Sequence, residues 1–453
     1  MTVAPAAPLA HVFIGRFDLA VPLPVVLVGA AAVVAASFGL VYLLPPREGA
    51  KPRRGPRVPH AVVVLLQSLA VVFVAFLVLV AITGRQSPVL NAAVIAFWVL
   101  TIPLLPLAHL LCGGMYEVAS PFALAARLVT SGASARRREH PAVDRLGYWP
   151  AVLFLLLLFW FELAFKPVPD TPALFGALAV LYIVFQVAMG ALLGEAWFRG
   201  GEIFQAVTSL ASSIAWLALV RDDDGFVRLR RGFDMDRFLP DLPGRQALIT
   251  LWLAGVLADG VRVTPIWQAI TKAAGDFSAS LGQLGSGART LNLGDLALDS
   301  AEILATWAAF GVFFWIFTWL AATLSRRSPA EVAKVVAPSL IPIALAYLLA
   351  HNLTQVLVIG PMMWSAAGAG AQAATFMLTQ NASHLSPPVI FAIEVGAIVL
   401  GHVAAVVIAH GRIARVEPDP ALAVSADLGW LAAMLVYTAT SLWVIAQNIT
   451  TGD

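Results

Sequence analysis

Charge is scarce in this chain. Only 12% of its 453 residues are Asp, Glu, Lys or Arg, about half of the ~25% that soluble domains carry. So little charge cannot cover a water-facing surface, which excludes a soluble enzyme or a soluble binding domain. The formal net charge of +2 is too small to call for a nucleic-acid partner. Cysteine is almost absent: Cys112 stands alone, so there is no internal disulfide and no CxxC or Cys/His zinc spacing, and the redox compartment is not legible. Catalytic signatures are missing as well. The chain has no GxSxG elbow, P-loop, GxGxxG or HExxH, and none of the HxH runs that hold paired metals. The N-terminus lacks the basic n-region and short apolar core of a cleaved signal peptide, so its first apolar run reads as a retained helix.

What the chain has is apolar length. It is 60% hydrophobic, with a mean hydropathy of +0.86. A helix needs about 20 mostly apolar residues to cross the hydrocarbon core. Ten segments qualify, at 22–44, 61–83, 89–111, 149–165, 173–193, 246–261, 300–324, 335–359, 387–409 and 427–447. The expected fold is therefore an all-α, polytopic transmembrane bundle of about ten spans in a single domain covering 1–453. The apolar stretch 203–220 is kept out of the count and read as an amphipathic or re-entrant helix.

Lys and Arg favour the cytoplasmic side of a membrane. With the N-terminus outside, 22 of the 28 bases fall in the inner loops 45–60, 112–148, 194–245, 325–334 and 410–426. This places both termini outside. The large inner loop 194–245 contains Asp222-Asp223-Asp224-Gly225 followed by the alternating Phe226–Arg230, the pattern of a tight turn entering a strand. The outer loop 262–299 is the longest on its side.

Ionisable residues inside a membrane are costly, and so mark functional sites. His351 and Glu394 lie at matched depth, roughly 12 and 10 Å from the outer ends of consecutive spans, and are expected to face each other. Asp259 lies near the outer end of its span and His402 near mid-membrane. His11, Arg16 and Asp18 stand just outside the first span, at the mouth such a site would have. Glu162 and Glu302 are close enough to the interface to snorkel.

Several stretches resemble one family of polytopic bacterial membrane proteins, labelled fenitrothion hydrolase. They are Ala10-His11…Gly15-Arg16-Phe17-Asp18-Leu19…Pro22, Leu146-Gly147-Tyr148-Trp149-Pro150, Gly194-Glu195-Ala196-Trp197…Arg199-Gly200…Phe204, Ala350-His351, and Gly401-His402…Ala409-His410. They recur in the same order over nearly the whole chain. Asn352 stands where an aromatic is expected, and Ser120-Pro121 where Asn-Pro is. The resemblance implies a multi-pass protein of the bacterial inner membrane that hydrolyses an organophosphate ester.

Three functions remain open. One is proton- or metal-ion-coupled transport of a small solute through a polar intramembrane site. Another is a membrane-embedded ester hydrolase, with His351, Glu394, His402 and Asp259 binding a divalent metal or acting as general acid and base. The third is a haem- or copper-binding subunit, for which His351 and His402 differ in depth by roughly 10 Å. The bilayer is the certain partner, and a small molecule or ion is the expected ligand.

Overall fold

The structure is a computed structural model that describes residues 22–43, 52–130, 140–222, 224–285, 290–361 and 385–450. The mouth candidates His11, Arg16 and Asp18 lie outside the described residues. The long helices are α1 (Leu23–Leu43), α2 (His60–Thr83), α3 (Ala92–Leu111), α4 (Trp149–Leu163), α5 (Pro172–Leu193), α6 (Arg245–Arg262), α7 (Leu293–Ser325), α8 (Ile341–Val358), α9 (Pro387–Val416) and α10 (Pro420–Thr450). Each of the ten apolar segments thus contains a helix.

Not all ten are long enough to count as spans. Eight are long and apolar enough to cross a membrane, α8 among them together with the short helix Pro329–Val336 that leads into it. Helix α4 has 15 residues, about 22 Å at 1.5 Å per residue, short of the ~30 Å hydrocarbon core. Helix α6 reaches span length only if joined to Pro265–Ala273 across a bend of 73°. Among the described residues, eight of the ten expected spans meet the length and composition of a crossing, or nine with the bent pair. The bend has a local cause. The Thr264 hydroxyl accepts from the Trp267 N–H at 3.3 Å, and Pro265 opens the new helix, where its fixed φ and missing N–H are tolerated.

Local chemistry also shapes α3. Asn91 caps it by accepting from the N–H groups of Ala93 and Val94, while its amide donates to Val80 and Arg85 carbonyls, tying the helix start to the end of α2. Ile95–Thr101 widens to a π-helical turn just before Pro103 and Pro106, whose rings break the ordinary ladder.

Two cores hold the bundle. The larger joins α1, α4 and α6 through α10, and the smaller joins α2, α3 and α5. Helix α1 packs against α9 and α10, so packing does not follow a division into five helices before the large loop and five after it. Helices α2 and α7 present rows of exposed Val, Leu, Phe and Trp, the surface expected against lipid. Helix α6 is buried from Leu248 to Gly260, and α8 is buried from Ile341 to Ala350 except for Leu349. These two are the central helices.

The five basic loops meet at one end of the bundle. Strands β1 (Arg53–Arg57), β2 (Leu217–Arg221) and β3 (Val227–Arg231) form an antiparallel sheet in the order β1-β3-β2, which joins the first loop to the third. Gly113 bridges Ala218, joining the second to the third. Arg245 donates to the Lys334 carbonyl at 3.0 Å, and Arg412 to the Val335 carbonyl at 3.0 Å, which bring in the fourth and fifth. Strands β2 and β3 turn at Asp222–Gly225, where the Gly225 N–H donates to the Asp222 carbonyl. The stretch 203–220 is not one helix: Ile203–Ser212 is helical and wholly buried except for Phe204, and Leu217–Arg221 is strand β2. At the opposite end, Arg262 donates to the Leu163 carbonyl, and Lys166 pairs with Asp299. Helix α4 starts beside Pro243, through the Tyr148 N–H, and ends beside Arg262. Short as it is, it runs from one end to the other.

Candidate functional site

The polar site lies where α6 meets α8. His351 Nε2 is 3.1 Å from Asp259 Oδ2, and Asp259 is only 6% exposed. Tyr347, one turn before His351 on α8, stacks on the imidazole with ring centroids 6.0 Å apart and planes 14° apart. Its hydroxyl is buried and finds no hydrogen-bond partner among the described residues. Gly260 makes room for it, since a Cβ there would sit 2.9 Å from the Tyr347 oxygen. The hydroxyl lies within electrostatic reach of Asp259 of α6 and of Glu394 of α9.

The pairing differs from the sequence expectation. His351 was expected to face Glu394, yet its partner is Asp259, and among the described residues Glu394 makes no hydrogen bond or ion pair. The reason is the angle of His351 around its helix. Ala346 is the residue of α8 that meets Gly401 of α9, where an added Cβ would lie 2.5 Å from the Ala346 Cβ. His351 is five residues further on, about 140° around at 100° per residue, and so turns from α9 toward α6. Matched depth does not fix the angle.

A second cluster continues the site toward the end away from the basic loops. Arg262 donates to Glu302 Oε2 from Nε at 2.9 Å and from Nη2 at 2.7 Å, and contacts Asp299 at 3.3 Å. Glu302 is fully buried, so it does not snorkel: the guanidinium comes to it. Glu162 of α4 and Glu302 of α7 both lie within electrostatic reach of Asp259. Three helices, α4, α6 and α7, thus bring carboxyl groups within electrostatic reach of one another beside Arg262 and His351.

His402 does not join this site. Its Nδ1 donates to the Ile398 carbonyl of its own helix at 2.8 Å, and its fully buried Nε2 has no partner among the described residues. With one turn-spanning bond made, Nε2 is left as an acceptor in the core. His410, two turns further along α9, pairs with buried Asp427 of α10 at 2.7 Å. Among the described residues no three His, Cys, Asp or Glu side chains converge as a metal site. This takes support from a metal held by His351 and Glu394. For haem, His351 Nε2 is engaged by Asp259, whereas His402 has only its Nδ1 engaged by its own backbone and keeps Nε2 open.

Sequence reasoning missed Tyr347, Arg262 and Asp427. Two of these had a spacing signal: Tyr347 is i−4 from His351, and Arg262 is i+3 from Asp259, so each shares a helix face with its neighbour. Asp427 had none, because its partner comes from another helix.

Compared with known proteins, the chain matches no family model, no curated protein and no solved structure.

Proposed function

We propose that this chain is a ten-span protein of a bacterial inner membrane, with both termini outside, that moves a small solute or ion across the membrane in step with protonation of the Asp259–His351 pair. The observation that supports it best is the placement of that pair. An ionisable dyad sits at the contact of the two most buried helices of a lipid-facing bundle, where such groups are costly unless they are used. A neutral imidazole bonded to a carboxylate can take up one proton and become an ion pair without leaving its partner. Tyr347, Glu162 and Glu394 around it are further groups able to accept or donate hydrogen bonds to a passing ion or solute.

The ester-hydrolase reading draws on the family resemblance. It would need an activated nucleophile or a metal pair about 3.5–4 Å apart. Among the described residues no Ser or Cys is bonded to His351, and no metal cluster forms. Two equivalents of zinc or iron in the purified protein would nevertheless favour it over transport.

The test needs no knowledge of the solute. Purified protein in liposomes is adsorbed to a solid-supported membrane, and charge displacement is recorded after pH jumps between 5 and 8, about the range in which histidine titrates. The wild type should give a transient that Asp259→Asn and His351→Gln each abolish, with all three proteins inserted equally. Identical transients in the variants, or none in the wild type, would overturn the reading.

A further inference from the structure

At the end carrying the basic loops, and separate from the Asp259–His351 site, a cavity of about 290 Å³ opens between the short helices Met115–Ala119, Pro121–Val129, Ala196–Gly201, Ile203–Ser212 and Met235–Phe238 and strand β2. Four arginines line it, Arg127, Arg199, Arg221 and Arg237, each from a different element. Two carboxylates face them. Glu195 takes Arg127 at 2.7 Å. Glu117 lies among the other three, and burial pushes its carboxyl up against the opposing pull of Arg237, Arg199 and Arg221. Among the described residues that line it, four guanidiniums against two carboxylates leave a formal +2.

A purely structural ion-pair network would have little reason to keep either the excess charge or the space. The arginines are positioned by the backbone as well. Arg221 donates to the Gly225 carbonyl and Arg237 to the Arg221 carbonyl, both at 2.9 Å. No hydrogen bond holds Arg199 among the described residues. The wall also offers Ser209 and Gln205. The volume, about 290 Å³, falls just below the ~300–1,000 Å³ of small-molecule sites, room for one tetrahedral anion and a few attached atoms. Guanidinium forks match phosphate oxygens in pairs, which makes arginine the residue of choice for phosphate.

We propose that this cavity binds a small phosphate-bearing dianion, either a free phosphate compound or the headgroup of an acidic phospholipid, with Arg199 and Arg237 as its principal ligands.

The experiment follows thermal unfolding of the purified full-length chain. In detergent, inorganic phosphate is titrated against potassium chloride of matched ionic strength. In nanodiscs, phosphatidic acid is compared with phosphatidylcholine. A saturable, phosphate-specific rise in Tm in detergent identifies a soluble ligand, and a rise confined to phosphatidic acid identifies a lipid headgroup. Arg199→Gln with Arg237→Gln should weaken half-saturation about tenfold or more. Arg53→Gln with Arg54→Gln, which removes the same charge from the neighbouring sheet, should leave it unchanged. If the cavity pair does not fold, Ala196→Phe fills the cavity with its charges intact and should abolish the rise. The proposal is overturned if chloride reproduces the rise, if both arginine pairs weaken it alike, if Ala196→Phe leaves it intact, or if neither phosphate nor phosphatidic acid produces one.

Discussion

Glu302 shows how the cost of a buried charge sets its surroundings. A fully buried carboxylate is tolerable only with a partner and hydrogen bonds to its oxygens. Arg262 supplies both through its two donors, while keeping part of its own side chain exposed at 23%. Removing one member of such a pair strands the other and costs about 3–5 kcal/mol, whereas replacing both with apolar groups is often neutral. Arg262→Met is therefore expected to lower the stability of the purified protein by about 3 kcal/mol, at the low end because Arg262 is partly solvated. The double variant Arg262→Met with Glu302→Leu should recover most of that loss. A double variant that unfolds as easily as the single one would mean that the pair is not the source of the cost. The sequence shows a carboxylate two residues inside the outer end of the segment 300–324, and snorkelling is the local answer to that. The partner comes from α6, some forty residues away in the chain, and only packing brings it near.

At the scale of the element, glycine separates close packing from open space. Gly401 lies at the contact of α8 and α9, where a Cβ would be 2.5 Å from the Ala346 Cβ and 2.9 Å from the Pro342 carbonyl oxygen. Gly396, on the same helix, has nothing within 4 Å of a Cβ. Overpacking of this kind costs about 1–3 kcal/mol. Gly401→Leu should lower Tm and Gly396→Leu should leave it nearly unchanged, and equal effects would remove Gly401 from the α8–α9 contact. The helices themselves were largely legible, since an apolar run of span length has few other stable forms in lipid. Their ends and breaks were less so. Residues 203–220 carry no charge, and hydropathy alone does not distinguish a buried helix that stops at Ser212 from one that continues. The stop rests on contacts made across the fold: the Ser212 hydroxyl accepts from the Gly114 N–H at 3.0 Å, and β2 is drawn into the sheet by β3. The His351–Glu394 pairing failed for a related reason, because depth is a property of one helix and facing is a property of two.

For the whole molecule, the proposed orientation rests on where the basic residues lie. The basic loops are far apart in the chain, yet they assemble into one surface even where this sets like charges side by side. In the β1–β3 ladder Arg53 lies opposite Arg231 and Arg54 opposite Arg230, pairings that are unfavourable alone. They are offset by Asp234 on Arg230, by Asp222 on Arg228 at 2.6 Å, and by the Arg57 guanidinium 4.0 Å over the Phe226 ring. Since the sheet and the Gly113–Ala218 bridge hold the first three loops at one end, these loops must lie on one side of any membrane the bundle crosses. In the proposed orientation that side is the cytoplasm, where the positive-inside bias puts basic loops. A reporter active only outside the cytoplasm should therefore be silent when fused after Arg138 or after Arg231, and active when fused after Asp453. Activity at both loop sites with silence at Asp453 would invert the protein. Disagreement between Arg138 and Arg231 would be more damaging, because no orientation of the bundle can separate two loops that share a sheet edge. Silence at all three would leave the loops together and change only the number of crossings after the large loop, and with it the standing of the bent α6 as a span.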